Sequence, residues 1–247
     1  MSNRQVVLKR HPNGIPVPED FDLVEGSIAE PGDGQMLVRI LFFSLEAAIR
    51  GWLDGKANYF EPIPLGGAIR GPSVARVVKS HLTGFEVGDL IFGLHHWEDY
   101  SISDANTILL SKLSPEPDIP LSYYSGGLGG PGHTAYVGLH EIGKIQTGET
   151  VLISAAAGAT GSMATQIAKL RGCKVVGIVG SNEKAALVTE TLGADAAVNY
   201  KTCGDLTAAI AQACPEGVDV YFDNVGGTTL NAALACMNTF GRVIARC

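Results

Sequence analysis

Small residues between positions 155 and 162 have the composition and spacing of a loop that binds phosphate. The segment reads Ala155-Ala156-Ala157-Gly158-Ala159-Thr160-Gly161-Ser162. Its glycines are spaced like the last two of the pattern GxGxxG, and Ala155 or Ala156 lies near the first glycine position. Such a loop lets backbone N–H groups approach a pyrophosphate, and the N-terminus of the helix after it faces the negative charge. The alternative is a glycine-rich turn that only packs a helix against a strand.

The elements on either side of this loop favour dinucleotide binding over simple packing. An apolar strand is predicted over residues 150–154, and a helix follows, with apolar side chains at helical spacing up to Gly172. Further strands are predicted over 174–179, 196–199, 218–222 and 242–246. Regular alternation of strands and helices predicts a parallel sheet with helices on both faces, which is the setting that such a loop requires.

Capping residues and apolar spacing predict where the helices begin and end. Asn182 and Asp205 are predicted N-caps, because short polar side chains accept hydrogen bonds from the first turn of a helix. Pro131 and Gly143 are predicted to start and to end an earlier helix. A helix before the last strand is predicted from apolar residues at helical spacing, namely Leu230, Ala233, Leu234 and Met237.

The residues after the second of these strands indicate which dinucleotide is bound. An acidic residue at this place binds the ribose hydroxyls of NAD, whereas this chain has the segment Gly180–Lys184. Its small polar residues leave room for a 2′-phosphate that Lys184 can neutralise, although Glu183 carries the opposite charge nearby. The alternative for Lys184 is a solvated lysine on a helix surface. We expect NADPH as the cofactor.

Residues 1–120 follow a different pattern, with short predicted strands separated by glycine and proline turns. The predicted strands cover residues 36–40, 73–78, 90–93 and 97–103. This pattern is typical of a β-barrel-like domain. The proline-rich segment 114–120 is the predicted linker, so we expect one domain over residues 1–120 and a second over residues 121–247.

Composition argues against several classes of protein. The formal net charge of −7 disfavours nucleic-acid binding, which needs an excess of Lys and Arg. No apolar run is long enough for a membrane helix or a signal peptide, so we expect a cytoplasmic protein without a membrane partner. The five cysteines all lie in the C-terminal half without a CxxC pair, which is typical of reduced thiols.

Several segments together resemble the medium-chain dehydrogenase/reductase superfamily, and within it the zinc-free branch of prostaglandin reductases and alkenal or curcumin double-bond reductases. The matching segments are residues 84–89, 97–104, 130–136, 154–162, 180–184, 199–201 and 221–227. The resemblance implies an α/β fold, with a GroES-like β-barrel domain followed by a Rossmann domain with a doubly wound parallel sheet. It also implies that the chain is truncated at the C-terminus and that the full-length protein forms a homodimer.

The resemblance implies cofactor contacts for eight residues, which are Gly158, Ala159, Thr160, Gly161, Lys184, Tyr200, Asn224 and Thr134. The first four would contact the pyrophosphate, and the next two would lie at the 2′-phosphate end. Asn224 would face the cofactor, and Thr134 would lie near the nicotinamide. As alternatives, Tyr200 is a surface residue at the end of a strand, and Asn224 is a turn former before two glycines. No catalytic residue is assigned.

The implied activity is hydride transfer from NADPH to the carbon–carbon double bond of a small α,β-unsaturated aldehyde or ketone. One alternative is a quinone reductase of the same superfamily, which the segment Tyr221–Gly227 disfavours. The other is a non-catalytic NADPH-binding protein, because part of the fold is expected to be missing. Trp52 and Tyr59 are candidates either for lining the substrate pocket or for packing in the first domain.

A catalytic zinc is not expected. Zinc-containing relatives use a Gly-His-Glu segment and a lobe of four cysteines, whereas here residues 66–71 contain no histidine and no cysteine precedes Cys173. The adjacent pair His95-His96 has no carboxylate or thiol partner at a suitable spacing. We therefore expect this pair to be structural or exposed.

Overall fold

The chain divides into two compact units, with the boundary between Gly126 and Gly127. The structure is a computed structural model that describes residues 2–56 and 60–245. Tyr59, Arg246 and Cys247, about which the sequence made predictions, lie outside the described residues. None of the described helices has the length and apolar character needed to cross a lipid bilayer. Assigning separate functions to the two units stays a prediction.

The first unit consists mainly of antiparallel strands, as its pattern of short strands predicts. They are β1 (Ser2–Leu8), β2 (Phe21–Ser27), β3 (Gln35–Phe43), β4 (Arg70–Ser80), β5 (Leu90–His96), β6 (Tyr100–Asp104) and β7 (Ser111–Leu113). β1 pairs with β2, and the other five form one sheet in the order β6-β3-β4-β5-β7. The short helix α1 (Ala47–Trp52) follows β3. Trp52 is 2% exposed and packs in the core of this unit.

His95 lies in the interior of this first unit. Alternate residues of β5 are buried, and His95 is 3% exposed. Its Nδ1 lies 2.7 Å from Oγ of Ser73, and its Nε2 lies 3.3 Å from Oγ of Ser103. Burial lowers the pKa of His95 to about 4. The ring is therefore neutral and structural at neutral pH, which agrees with one of the two roles expected for this pair.

Acidification from about pH 6.5 to about pH 4 is expected to destabilise the first unit by up to about 3 kcal/mol. In this interval the unfolded chain binds a proton at His95 that the folded unit excludes. The free energy of unfolding therefore keeps its full value above about pH 6.5 and decreases as the pH falls towards about 4. Both tryptophans, Trp52 and Trp97, belong to this unit, and their fluorescence can follow urea unfolding. His95→Gln should reduce the pH dependence, whereas His81→Gln, at an exposed position, should leave it unchanged. Equal pH dependence in all three proteins would contradict this role of His95.

The second unit alternates strands and helices, as predicted. Its elements are α2 (Gly130–Val137), β8 (Thr150–Ser154), α3 (Ala159–Leu170), β9 (Lys174–Val179), α4 (Asn182–Ala186), β10 (Ala196–Asn199), α5 (Leu206–Ala213), β11 (Val218–Asp223), α6 (Gly227–Leu234) and β12 (Met237–Ala245). The strands are parallel and lie in the order β10-β9-β8-β11-β12. In order along the chain this is 3-2-1-4-5, the order of the first five strands of a Rossmann sheet.

Helices cover both faces of this parallel sheet. Successive side chains of a strand point to opposite faces, so β8 packs against helices on both sides. Val151 and Ile153 of β8 pack on one face with Ala164 of α3. Leu152, between them, packs on the other face with Ile210 of α5. The predicted fold, a β-rich domain followed by a doubly wound parallel sheet, is confirmed.

Two local predictions in the second unit are wrong. The N-cap of α4 is Ser181 rather than Asn182, since the Ser181 side chain accepts the bond from Lys184 N–H at 3.3 Å. Met237 begins β12 instead of ending a helix. Its pairing partner is Val218, and the next paired residues are Val220 and Arg242, so the strand contains an irregular segment before its regular part. The spacing of Met237 therefore matches a helix only by chance. The predicted N-cap Asp205 of α5 is confirmed.

Candidate cofactor-binding site

A cleft of about 440 Å³ lies within the second unit, at the carboxyl ends of the central strands. It is lined by Ala155, Ala157, Gly158, Ile178, Val179, Gly180, Lys184, Tyr200, Lys201, Val225, Thr228 and Thr229. These residues follow or end β8, β9, β10 and β11. The strand order reverses direction at β8, and ligands of open parallel sheets bind at such a switch point.

The loop after β8 turns tightly into α3. Ala155 has a φ of +47°, in the left-handed region, and its carbonyl oxygen accepts a hydrogen bond of 2.8 Å from Gly158 N–H. Gly158 is the N-cap of α3, and no described side chain forms a capping hydrogen bond there. The first bond along the helix runs from Ser162 N–H to Gly158 O at 2.8 Å. This uncapped N-terminus carries the positive end of the helix dipole and can bind a phosphate.

Gly161 holds this loop and the helix in close contact. A Cβ at this position would lie 2.2 Å from the carbonyl oxygen of Ala155 and 2.9 Å from Cα of Ala156. These are backbone atoms, which cannot rotate away as a side chain can. The predicted loop segment therefore forms a cradle in which only glycine fits at position 161.

A cationic end of the cleft is formed by residues that follow β9 and β10. A Cβ at Gly180 would lie 2.9 Å from the hydroxyl oxygen of Tyr200, so the ring of Tyr200 lies directly against the backbone of Gly180. Lys184 and Lys201 line the same cleft and are exposed. Across the described ranges 2–56 and 60–245, neither lysine forms an ion pair with a carboxylate. Both ammonium groups are available to an anionic ligand.

Among the described residues, the carboxylate of Glu183 forms no ion pair with Lys184 or Lys201. It accepts a hydrogen bond from the hydroxyl of Ser181, and this bond lowers the pKa of Glu183. Glu183 therefore stays ionised near the N-terminus of α4.

A buried polar network fixes the loop after β11. Oδ1 of Asp223 accepts hydrogen bonds of 2.8 Å from the hydroxyl of Tyr221 and from Gly226 N–H. Burial acts to raise the pKa of Asp223, but these bonds hold it below its ordinary value. Asn224 bridges to β8, since its N–H donates to Oγ of Ser154 and its Nδ2 to the carbonyl oxygen of Ser154, both at 2.8 Å. Oδ1 of Asn224 is buried and has no hydrogen-bond partner among the described residues.

The structure brings most of the predicted cofactor residues together, but not all of them. Gly158, Lys184 and Tyr200 line the cleft. Residues 159–161 form the first turn of α3 beside it, and Asn224 precedes the lining residue Val225. Thr134 lies elsewhere, in an apolar pocket that includes Phe222 and Ile244, and its hydroxyl donates to the carbonyl oxygen of Gly130 at 2.8 Å. The proposed contacts of all eight residues with a cofactor stay predictions.

Among the lining residues without a predicted role are three polar ones, Lys201, Thr228 and Thr229. Lys201 belongs to a segment that the resemblance includes, but no role was predicted for it. Thr228 and Thr229 follow the pair Gly226-Gly227, and nothing in their sequence spacing marks them. They reach the cleft because α6 begins directly after the loop that leaves β11.

The site fits a dinucleotide with an additional phosphate. Lys184 and Lys201 line the cleft without an ion pair to any described residue, and the glycine cradle leads to the N-terminus of α3. The buried Oδ1 of Asn224 has no partner in the described part of the chain. Within residues 2–56 and 60–245, no three His, Cys, Asp or Glu side chains are close enough together to hold a metal ion.

Family models match both parts of the chain. The model described as the N-terminal domain of oxidoreductase matches residues 4–110, and the model described as zinc-binding dehydrogenase matches residues 159–245.

Curated relatives align over almost the whole chain. NADPH-dependent curcumin reductase of Escherichia coli is 42% identical over 98% of this chain and 69% of its own length. The 2-alkenal reductase (NADP(+)-dependent) of Nicotiana tabacum is 41% identical over 98% of this chain and 71% of its own length. Among solved structures, CurA from Vibrio vulnificus in complex with NADPH has a TM-score of 0.89 at 39% identity, covering 97% of this chain and 70% of that chain.

Proposed function

Because the chain belongs to the medium-chain dehydrogenase/reductase superfamily, we propose that it is an NADPH-dependent reductase of the carbon–carbon double bond in α,β-unsaturated aldehydes and ketones. The names of the two relatives above describe a curcumin reductase and a 2-alkenal reductase. The observation that carries the proposal is the cationic end of the cleft. There Lys184, Lys201 and Tyr200 surround the place where an NAD-binding protein has a carboxylate.

The second unit would hold NADPH by its phosphates. The N-terminal turn of α3, over residues 158–161, binds the pyrophosphate, and the closeness of Gly161 to Ala155 brings the helix N-terminus to it. Lys184, Lys201 and the hydroxyl of Tyr200 bind the 2′-phosphate. Asn224 faces the cofactor from the loop that Asp223 fixes. Thr134 stays a candidate neighbour of the nicotinamide.

The reaction determines what the protein has to supply around the substrate. When bound, NADPH supplies a hydride for the β-carbon of the substrate. Negative charge then develops on the carbonyl oxygen, so a hydrogen-bond donor must face that oxygen, and the reacting carbon must be held close to the cofactor. The residues that bind the phosphates hold the cofactor in place. The donor to the carbonyl oxygen has no assigned residue.

A turnover assay tests the proposed activity. The protein is mixed with NADPH and a short 2-alkenal, the loss of nicotinamide absorbance is followed, and the product is identified by mass spectrometry. We expect one saturated aldehyde for each NADPH oxidised, because the hydride adds to the double bond and the carbonyl group is kept. The matching saturated aldehyde, which has no double bond to accept hydride, should leave the absorbance unchanged.

Two results would contradict the proposed activity. Binding of NADPH without any loss of the alkenal would favour a non-catalytic NADPH-binding protein. Turnover of a quinone with no turnover of any enone would favour a quinone reductase. Each result leaves the cofactor assignment intact and removes the substrate assignment.

A further inference from the structure

The side chain of Thr229 is buried at the wall of the cleft without a hydrogen-bond partner. The residue is 9% exposed, and no atom in the described part of the chain hydrogen-bonds to its hydroxyl. A helical threonine commonly bonds back to the carbonyl group one turn earlier, as Thr165 does to Gly161 at 2.9 Å. Thr229 does not satisfy its hydroxyl in this way. Its hydroxyl is therefore free to bond to a molecule in the cleft.

Thr229 is oriented so that a ligand in the cleft can reach it. It lines the cleft, and its oxygen is not among the completely enclosed side-chain atoms that lack a partner. The hydroxyl therefore has access to the cleft and not only to the protein interior.

The surroundings of Thr229 suit a flat aromatic base. Val225, which is 59% exposed, presents an apolar side chain from the loop after β11, and the nearly buried residues Ile178 and Val179 line the cleft at the end of β9. The charged groups Lys184 and Lys201 also line the cleft, but they follow β9 and β10, whereas Thr229 follows β11. A 2′-phosphate bound by the lysines and a base against the apolar residues would both be accommodated in one cleft.

We propose that Thr229 binds the adenine base of the dinucleotide through its side-chain hydroxyl. Adenine offers ring nitrogens that accept hydrogen bonds and an exocyclic amine that donates them, and a threonine hydroxyl can serve as donor or acceptor. This inference rests on the proposed function, because it assigns a further contact in the same cofactor site.

Calorimetric titration with two fragments of the cofactor tests the inference. Adenosine 2′,5′-bisphosphate and adenosine 5′-monophosphate share the adenosine moiety, but only the first carries the 2′-phosphate. Thr229→Val keeps the shape of the side chain and removes the hydroxyl, so it should weaken both fragments by the same factor, roughly threefold to tenfold. Lys184→Ala should weaken only the bisphosphate. Thr191→Val, at an exposed position outside the cleft, should change neither affinity.

The folded state of the variants is checked by thermal melting. Thr229→Val should melt at about the temperature of the wild type, because it removes no hydrogen bond between described residues. Thr229→Ala should give the same loss of affinity, and it replaces the valine variant should that variant fail to fold. Thr229→Ser, which keeps the hydroxyl, should bind both fragments within about twofold of the wild type.

The outcomes separate this inference from the proposed function. Unchanged affinity of Thr229→Val and Thr229→Ala for both fragments, with normal binding by the wild type, overturns the role of Thr229 alone. A loss confined to the bisphosphate also overturns it, since Thr229 would then serve the phosphate. Failure of the wild-type protein to bind the bisphosphate overturns the proposed cofactor together with this inference.

Discussion

Replacement of Gly161 by alanine is expected to weaken NADPH binding by roughly 100-fold or more. The new Cβ would lie 2.2 Å from the carbonyl oxygen of Ala155, and the loop or the helix must move to relieve this contact. Either movement shifts the N–H groups that bind the pyrophosphate, and each hydrogen bond to a charged group is worth about 1.5–3 kcal/mol. The overpacking should also lower the free energy of unfolding by about 3 kcal/mol.

Isothermal titration and urea unfolding measure the two effects of Gly161→Ala. The matched control is Gly26→Ala, because Gly26 in β2 has no atom within 4 Å of the added Cβ and needs no left-handed backbone. The control should bind NADPH as the wild type does. Normal affinity and normal stability of Gly161→Ala would show that the cradle is not closely packed and would remove the steric part of the account.

Replacement of Lys184 by alanine is expected to weaken NADPH binding by about 30-fold while NADH binding stays within about twofold. The two carriers differ only in the 2′-phosphate, and Lys184 has no carboxylate partner that would compete for its charge among the described residues. Affinity of the wild type for NADPH should fall as salt is added, because exposed charges are screened. The variant should show a weaker dependence on salt.

Fluorescence titration of both carriers measures the effect of Lys184→Ala. Lys174→Ala is the matched control. Lys174 begins β9, so it lies at the amino end of the strand, away from the cleft at the carboxyl end, and it does not line the cleft. Its affinities should match those of the wild type. An equal loss of NADPH and NADH binding in Lys184→Ala would show that the lysine does not discriminate the 2′-phosphate.

The elements of the second unit could be predicted from the sequence because local patterns determine them. Apolar strands, helical spacing and caps such as Asp205 are local signals, and the sheet follows from their alternation. Met237 shows where this reasoning fails. Its spacing matches a helix, but Asn238 bonds to Asp219 at 2.8 Å and to the carbonyl oxygen of Glu216 at 3.0 Å, and these long-range contacts accompany the early start of β12.

The candidate site could be predicted only in part for the same reason. The phosphate loop is one contiguous segment, Lys184 follows from the residues after the second predicted strand, and Tyr200 came from a segment that resembles a known family. Thr229 lines the cleft because α6 begins directly after the loop that leaves β11, and this placement leaves no mark at that position in the sequence.

The central claim is that the cleft at the carboxyl ends of β8, β9 and β11 holds NADPH by its phosphates. Calorimetric titration of the folded wild-type protein with NADPH, followed by NADH, tests this claim most directly. We expect one NADPH bound for each chain, at least tenfold tighter than NADH, together with a rise in melting temperature. If neither carrier produces heat or shifts the melting temperature of a protein that is shown to be folded, the account is contradicted.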